Sequence, residues 1–208
     1  NIYHLFKINT NKKFFKILDR NIGYITLANI KDEDIPEIKK SLTDTKGIII
    51  DIRNYPSAFV PFALGTYFMS EPTPFVKFTK GHVDNPGEFT FEDNLEIPKR
   101  GETYKGKLVV LVNENSQSQA EYTSMAFRAA KNSIIIGSTT AGADGNVSEI
   151  FLPGGLRSLI SGIGVYYPDG TETQRVGIVP DIIVKPTIEG VKKGTDEMLE
   201  KAIEIINQ

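Results

Sequence analysis

One stretch, Lys107 to Ala130, constrains the fold more than any other part of the sequence. It opens with five consecutive apolar residues, Leu108 to Val112. Because such a run leaves no polar face for water, it predicts a strand that is buried on both sides. A polar turn of residues 113–116 follows, and from Gln119 onward apolar residues recur at near-helical spacing. Ser118 therefore lies at a strand-to-helix turn, where its hydroxyl and unpaired backbone N–H groups can converge on one point.

Two interpretations of this turn stay open on the segment alone. Serine is a favoured N-cap residue, so Ser116 or Ser118 can simply cap the helix. Glu121 stands three residues after Ser118, which is the capping-box position, although it can also orient neighbouring groups. A nucleophilic serine instead needs a base within reach and donors for the oxyanion, and the N–H of Gln119 is one such donor. Taken by itself, the segment favours the cap.

The rest of the chain alternates buried strands with helices. Further strands are predicted at 47–52 and 133–137, an apolar helix at 58–69, and an amphipathic helix at 195–207. This alternation indicates an α/β fold with parallel strands. Residues 71–106 are interrupted by prolines and glycines, which predicts an irregular insertion or a surface hairpin.

Asp51 and Arg53 flank the end of the second predicted strand. They can form an ordinary salt bridge or stabilise the turn that follows. In the alternative, functional interpretation, the turn of residues 54–58 is a second source of backbone donors near Ser118.

Composition excludes several function classes. The sequence has no cysteine, so thiol catalysis and cysteine metal sites are ruled out. No basic run indicates nucleic acid, and no apolar run approaches the roughly 20 residues that span a bilayer. The 142–145 loop lacks the Gly-Lys-Ser/Thr of a nucleotide site, and Asp144 has no second carboxylate at ligand spacing. We therefore expect no cofactor and no metal, and a structural turn at Asp144.

Five segments resemble, in order, the motifs of the C-terminal processing (tail-specific) peptidase family. They are GYITLA (23–28), GIIIDIRN (47–54), KLVVLVNENSQSQAE (107–121), IIIGSTTAGADGNV (134–147) and YYPDGTETQRVGIVPDIIV (166–184). The resemblance implies a ClpP/crotonase-like core with a mostly parallel sheet flanked by helices, over residues 21–208. Residues 1–20 would be the tail of an upstream module or a leading β segment.

The same resemblance implies a serine endopeptidase that works through an acyl-enzyme. Ser118 is the implied nucleophile. The implied oxyanion donors are the N–H of Gln119 and an N–H in the turn around Ser57. Here Ser57 and Ala58 replace the two glycines of the family's turn, so the conformation of that donor is open.

The base departs from the family's usual pattern. Members with a Ser–Lys dyad carry a lysine after Thr-X-Gly, whereas Thr140-Ala141-Gly142 is followed here by Ala143 and Asp144. The sequence is therefore closer to the tricorn-like branch, which uses a histidine from an upstream helical region. Gln174 is the nearest match to the residue that orients this histidine. The chain has two histidines, His4 and His82. Each could be the general base, and the alternative for each is an ordinary surface residue.

The expected setting follows from the resemblance. The chain begins at Asn1 in a polar stretch, so we expect it to be a fragment of a longer protein and to be inactive alone. The longer protein would carry upstream helical and PDZ regions, and it would be bacterial and extracytoplasmic (periplasmic or cell envelope). The partner would be a polypeptide substrate, added along a strand edge. Nucleic acid is not expected, and the oligomeric state is open. Two alternatives are a non-catalytic peptide-binding pseudo-enzyme and a crotonase-like acyl-CoA enzyme.

Overall fold

The computed structural model describes residues 14–208. Its strands are β1 (Phe15–Leu18), β2 (Ile22–Thr26), β3 (Gly47–Asp51), β4 (Thr73–Gly81), β5 (Phe89–Phe91), β6 (Leu95–Ile97), β7 (Lys107–Val112), β8 (Ser133–Gly137), β9 (Val147–Leu152), β10 (Leu156–Ser161), β11 (Val165–Tyr166) and β12 (Ile182–Ile183). Its α-helices are α1 (Ile35–Leu42), α2 (Pro61–Gly65), α3 (Gln119–Arg128), α4 (Ile188–Lys193) and α5 (Glu197–Asn207).

A six-stranded sheet forms the centre of the molecule, in the order β1-β2-β3-β7-β8-β12. All its pairs are parallel except β1–β2. Every residue of β3 is buried, and so are the last five residues of β7, because both strands lie inside the sheet with both faces covered. The α/β fold with a mostly parallel sheet flanked by helices is therefore confirmed.

The two faces of the central strands belong to different cores. Side chains alternate along a strand, so Ile48 and Val110 face a large cluster that contains residues of α1, α2 and α3. Their neighbours Ile49 and Val109 face a smaller cluster under α5. Helix α3, which begins directly after Ser118, is thus packed on the larger core.

The segment of residues 71–106 contains three strands. The nine-residue strand β4 pairs antiparallel with β5, β6 and β11, which makes a second sheet. An irregularity in the β4–β6 register lies between Pro74 and Val76. Of the prolines and glycines that predicted irregular structure, Pro74 and Gly81 lie within β4, Pro86 and Gly87 lie between β4 and β5, and Pro98 follows β6. This sheet places Phe78 of β4 and Val165 of β11 opposite each other.

The predicted helix at 58–69 is wrong in its length. Helix α2 has five residues and starts at Pro61, a residue type that suits the first helical position but restricts the residue before it. Residues 55–60 are therefore a turn that reaches toward α3. None of the helices within residues 14–208 is long and apolar enough to cross a membrane.

Candidate active site

Ser118 has an unusual backbone conformation at the start of α3. Its φ is 53° and its ψ is −120°, whereas positive φ is uncommon for residues other than glycine and stores about 1–3 kcal/mol of strain. A strained strand-to-helix turn of this kind exposes a serine side chain above the end of a sheet. The interpretation of Ser118 as a helix cap and its interpretation as a nucleophile thus coincide at one residue, since it is also the N-cap of α3.

Glu121 holds this turn in place. Its carboxylate is 1% exposed and accepts four hydrogen bonds. The N–H of Ser118 donates to Oε2 at 3.0 Å, and the N–H of Ala143 donates to the same oxygen at 2.9 Å. Thr140 Oγ1 and the N–H of Gly142 donate to Oε1 at 2.5 and 2.7 Å. Glu121 therefore joins the turn at Ser118 to the loop of residues 140–143.

Ser116 is occupied by a structural role. It is fully buried, and its hydroxyl donates to the carbonyl of Ile52 at 2.7 Å. The same oxygen accepts the N–H of Asn113 at 3.1 Å. Ser116 therefore joins the polar turn after β7 to the end of β3, and Ser118 is left as the serine of this segment that faces a cleft.

The turn of residues 54–58 lies against the start of α3. Gln119 Nε2 donates to the carbonyl of Ala58 at 2.7 Å. The N–H of Ser57, however, donates to the carbonyl of Leu27 at 2.8 Å, and its hydroxyl donates to the carbonyl of Ile30 at 2.6 Å. In this structure the N–H of Ser57 is thus not available as the oxyanion donor that the resemblance implies. The N–H groups of Gln119 and Ala58 have no hydrogen-bond partner within residues 14–208.

An ion-pair network lies directly before this turn in the chain. The guanidinium of Arg53 donates two hydrogen bonds to the carboxylate of Asp51, at 3.0 and 2.6 Å, and two to that of Asp196, at 2.8 and 2.7 Å. Burial alone would raise the pKa of Asp196, but the hydrogen bonds from Arg53 hold it below its ordinary value. The Asp51–Arg53 pair therefore links the end of β3 to the start of α5, which is the structural interpretation of this motif.

Ser118 opens into a cleft of about 260 Å³. The cleft is lined by Tyr55, Phe59, Phe78, Ser118, Gln119, Tyr122, Asp144, Gly145, Asn146, Ile163 and Val165. The ring of Tyr122 stacks between Phe59, at 5.8 Å, and Phe78, at 6.1 Å. One wall of the cleft is therefore aromatic. A larger open groove of about 850 Å³, between the end of β1 and α5, contains none of the candidate residues.

Asp144 is the cleft residue that the sequence interpretation missed. Its side chain is buried, Oδ1 accepts the N–H of Gly145 at 2.8 Å, and Oδ2 is buried without a hydrogen-bond partner within the described chain. Burial raises the pKa of Asp144 to about 7; the hydrogen bond from Gly145 opposes this, and the charge of Glu121 adds to it. The place of Asp144, next to the position where the family's dyad lysine stands, is the sequence signal that points to this residue.

Gln174 lies beside this turn. Its Nε2 donates to the carbonyls of Asp144 and Ile163, at 2.8 and 3.0 Å. Gln174 therefore links the backbone at Asp144 to that at Ile163. Its role in orienting a histidine stays a prediction.

The two histidines lie elsewhere. His82 is exposed in the turn after β4, and His4 lies outside the described residues. Neither histidine nor lysine nor arginine is among the residues of the described chain that line the cleft. Among the residues of the described chain, the cleft thus combines the hydroxyl of Ser118, the unpartnered N–H of Gln119 and the carboxyl group of Asp144, and no cationic side chain.

Comparisons with known proteins agree on one family. The model of "Peptidase family S41" matches residues 21–184. A carboxy-terminal-processing protease from Bartonella bacilliformis is 26% identical over 193 residues, which cover 88% of this chain and 43% of that protein. A tricorn protease from Thermoplasma volcanium is 25% identical over 212 aligned positions, covering 96% of this chain and 19% of that protein.

The fold agrees as well. A crystal structure of a candidate peptidase from Parabacteroides merdae superposes with a TM-score of 0.82, at 22% identity, over 92% of this chain and 63% of the other. The chain spans less than half the length of the two curated relatives. Because the family model covers more than three quarters of the sequence, the chain belongs to peptidase family S41.

Proposed function

We propose that this chain is the catalytic core of a serine-type peptidase in which Ser118 Oγ attacks the carbonyl carbon of a peptide bond. The observation that carries the proposal is the strained Ser118 at the start of α3, held by the four hydrogen bonds that Glu121 accepts. Membership of the S41 family supports the same chemistry. The substrate would be a polypeptide, as the names of the related proteases suggest.

The proposed mechanism has two stages. Attack by Ser118 gives a tetrahedral intermediate whose oxyanion is stabilised by backbone donors. The N–H of Gln119 is one donor, since the first N–H groups of a helix have no intrahelical partner. The N–H of Ala58 is the second, because the N–H of Ser57 is already bonded to Leu27. Loss of the amine leaves an acyl-enzyme, which water then hydrolyses.

The base is proposed to come from outside residues 14–208. A serine hydroxyl must pass its proton to a group within hydrogen-bonding reach. In the tricorn-like branch that the sequence resembles, a histidine from an upstream region takes this role, and Gln174 would orient it. Upstream helical and PDZ regions and an extracytoplasmic location belong to the same proposal, and the complete absence of cysteine from the sequence is compatible with export.

The test compares the full-length protein with its Ser118→Ala variant on an unfolded protein substrate. Proteolysis that is lost in the variant, with an unchanged circular dichroism spectrum, supports the proposal. Equal proteolysis by both proteins refutes it. Fluorophosphonate labelling of the 208-residue chain alone tests the origin of the base, because labelling as fast as in the full-length protein would place the base within this chain.

A second candidate is a peptide-binding protein of the same family without catalysis. It is favoured by the N–H of Ser57, which is bonded to Leu27, and by the cleft residues of the described chain, which include neither a histidine nor a lysine. In that case the full-length protein binds peptides with the same affinity whether residue 118 is serine or alanine, and shows no Ser118-dependent labelling.

A further inference from the structure

The cleft beside Ser118 contains an acceptor that the peptidase chemistry does not use. Asp144 is 8% exposed, and its Oδ2 has no hydrogen-bond partner within residues 14–208. A buried carboxylate oxygen without a partner is unfavourable, so this group is poised for a ligand that carries hydrogen-bond donors. The raised pKa of Asp144 reflects the same lack of compensation.

The charge around this oxygen is negative. Asp144 is the only side chain with a formal charge among the residues of the described chain that line the cleft. The carboxylate of Glu121 adds a second negative charge that acts on Asp144, but its own oxygens already accept four hydrogen bonds. A cation that enters the cleft would therefore meet an attractive potential and an unoccupied acceptor.

The walls suit the stem and the head of a basic side chain. Phe59 is 54% exposed and stacks on Tyr122, which in turn stacks on Phe78. Aromatic faces attract ammonium and guanidinium groups and also pack against methylene stems. A neutral polar side chain would gain the hydrogen bond and some stem packing, but neither the attraction of a cation to the aromatic faces nor its attraction to the carboxylate charge.

We infer that the cleft beside Ser118 is a subsite for a lysine or arginine side chain of the polypeptide substrate, with Asp144 Oδ2 as its acceptor. The inference rests on the proposed function, because the cleft is lined by Ser118 and Gln119, so the residue that it holds is next to the cleaved bond. Asp144 is thereby a specificity-determining residue, not a part of the acyl-transfer chemistry.

A role for Asp144 as the general base is the competing interpretation. A base must be within about 2.6–3.2 Å of the hydroxyl oxygen that it deprotonates. Because neither oxygen of Asp144 has a hydrogen bond with Ser118, the present geometry favours substrate binding.

The binding test uses the full-length protein with the Ser118→Ala change, so that nothing is cleaved. Two fluorescent alanine-rich peptides differ at one residue, which is lysine in one and norleucine in the other. We expect the lysine peptide to bind at least tenfold more tightly in fluorescence polarisation. With Asp144→Asn added, the two affinities should agree within threefold. Asp93→Asn, which removes an exposed carboxylate outside the cleft, is the matched control and should retain the preference.

Equal binding of the two peptides to the Ser118→Ala protein would overturn the inference without any further variant. So would a lysine preference that survives Asp144→Asn. Fluorophosphonate labelling separates this result from the proposed function. Labelling of Ser118 that is lost in Asp144→Asn, with no change in the peptide preference, identifies Asp144 as the base and overturns the inference. A preference that depends on Asp144 in a protein that never labels at Ser118 supports the subsite and refutes the peptidase.

Discussion

Replacing Glu121 with glutamine keeps the shape of the side chain but changes what it can accept. The carboxylate receives four donors, two on each oxygen. A glutamine amide has one acceptor oxygen, and its NH2 group can only donate. Whichever way the amide is oriented, two donors lose their acceptor and face another donor. With Oε1 kept as oxygen, these are the N–H groups of Ser118 and Ala143.

The expected loss in the free energy of unfolding follows from the two lost hydrogen bonds. A hydrogen bond to a charged group contributes about 1.5–3 kcal/mol, so two give a loss of about 3–6 kcal/mol in the free energy of unfolding. This is a large part of the roughly 5–15 kcal/mol that stabilises a typical domain. Because the same carboxylate holds Ser118 in its strained conformation, we also expect the rate of Ser118 labelling to fall at least tenfold in the full-length protein.

Urea unfolding of the 208-residue chain measures the first effect, and fluorophosphonate labelling of the full-length protein measures the second. Glu114→Gln is the matched control, since Glu114 is exposed on the same polar turn and accepts one hydrogen bond, from Ser138. It should cost no more than about 1 kcal/mol. If Glu121→Gln unfolds within about 1 kcal/mol of the parent chain and labels at the parent rate, Glu121 does not hold the turn.

Three further predictions concern the surroundings of the site. Burial raises the pKa of Asp144 from 3.8 to about 7, so its contribution to folding stability is fully present below pH 3.8 and is lost as the pH rises through 7. Between pH 4 and pH 8, the free energy of unfolding of Asp144→Asn should therefore rise by up to about 4 kcal/mol relative to that of the parent. A difference in urea midpoint that stays constant with pH would contradict this. Arg53→Lys loses the forked pairing and should cost about 2–4 kcal/mol in urea unfolding, whereas Arg175→Lys at an exposed pair should cost less than about 0.5 kcal/mol; equal costs would refute the bracing role. Gly137→Ala would place Cβ 1.9 Å from a backbone oxygen of β7, so it should lower the melting temperature far more than Gly87→Ala, where φ is also positive but nothing lies within 4 Å.

The strands around the site were predictable because their signal is local. Ile48 to Ile50 and Leu108 to Val112 are apolar without interruption, and the structure buries both runs inside the parallel sheet. The strand-to-helix turn at Ser118 was predictable for the same reason. Its positive φ was not, because that conformation is fixed by hydrogen bonds between Glu121 and a loop about 20 residues further along the chain.

The second proposed oxyanion donor, the N–H of Ala58, and the cleft could not be predicted from the sequence. The N–H of Ser57 is taken by Leu27, a carbonyl 30 residues earlier, and no local pattern reports such a contact. Asp144 looked like an ordinary turn residue, since acids are common in glycine-containing loops. Gln174, which donates to its carbonyl, and Val165, which lines the same cleft, meet it only in the tertiary structure.

The central claim is that Ser118 is the nucleophile, and site-specific labelling tests it most directly. The full-length protein is incubated with a fluorophosphonate, and the modified residue is located by peptide mass spectrometry. Ser118→Ala is the test variant, and Ser116→Ala, which removes the neighbouring structural serine, is the control. We predict one adduct, on Ser118, that is present in the parent and in Ser116→Ala and missing from Ser118→Ala. An adduct that persists in Ser118→Ala, or no adduct on a folded full-length protein, would contradict the claim.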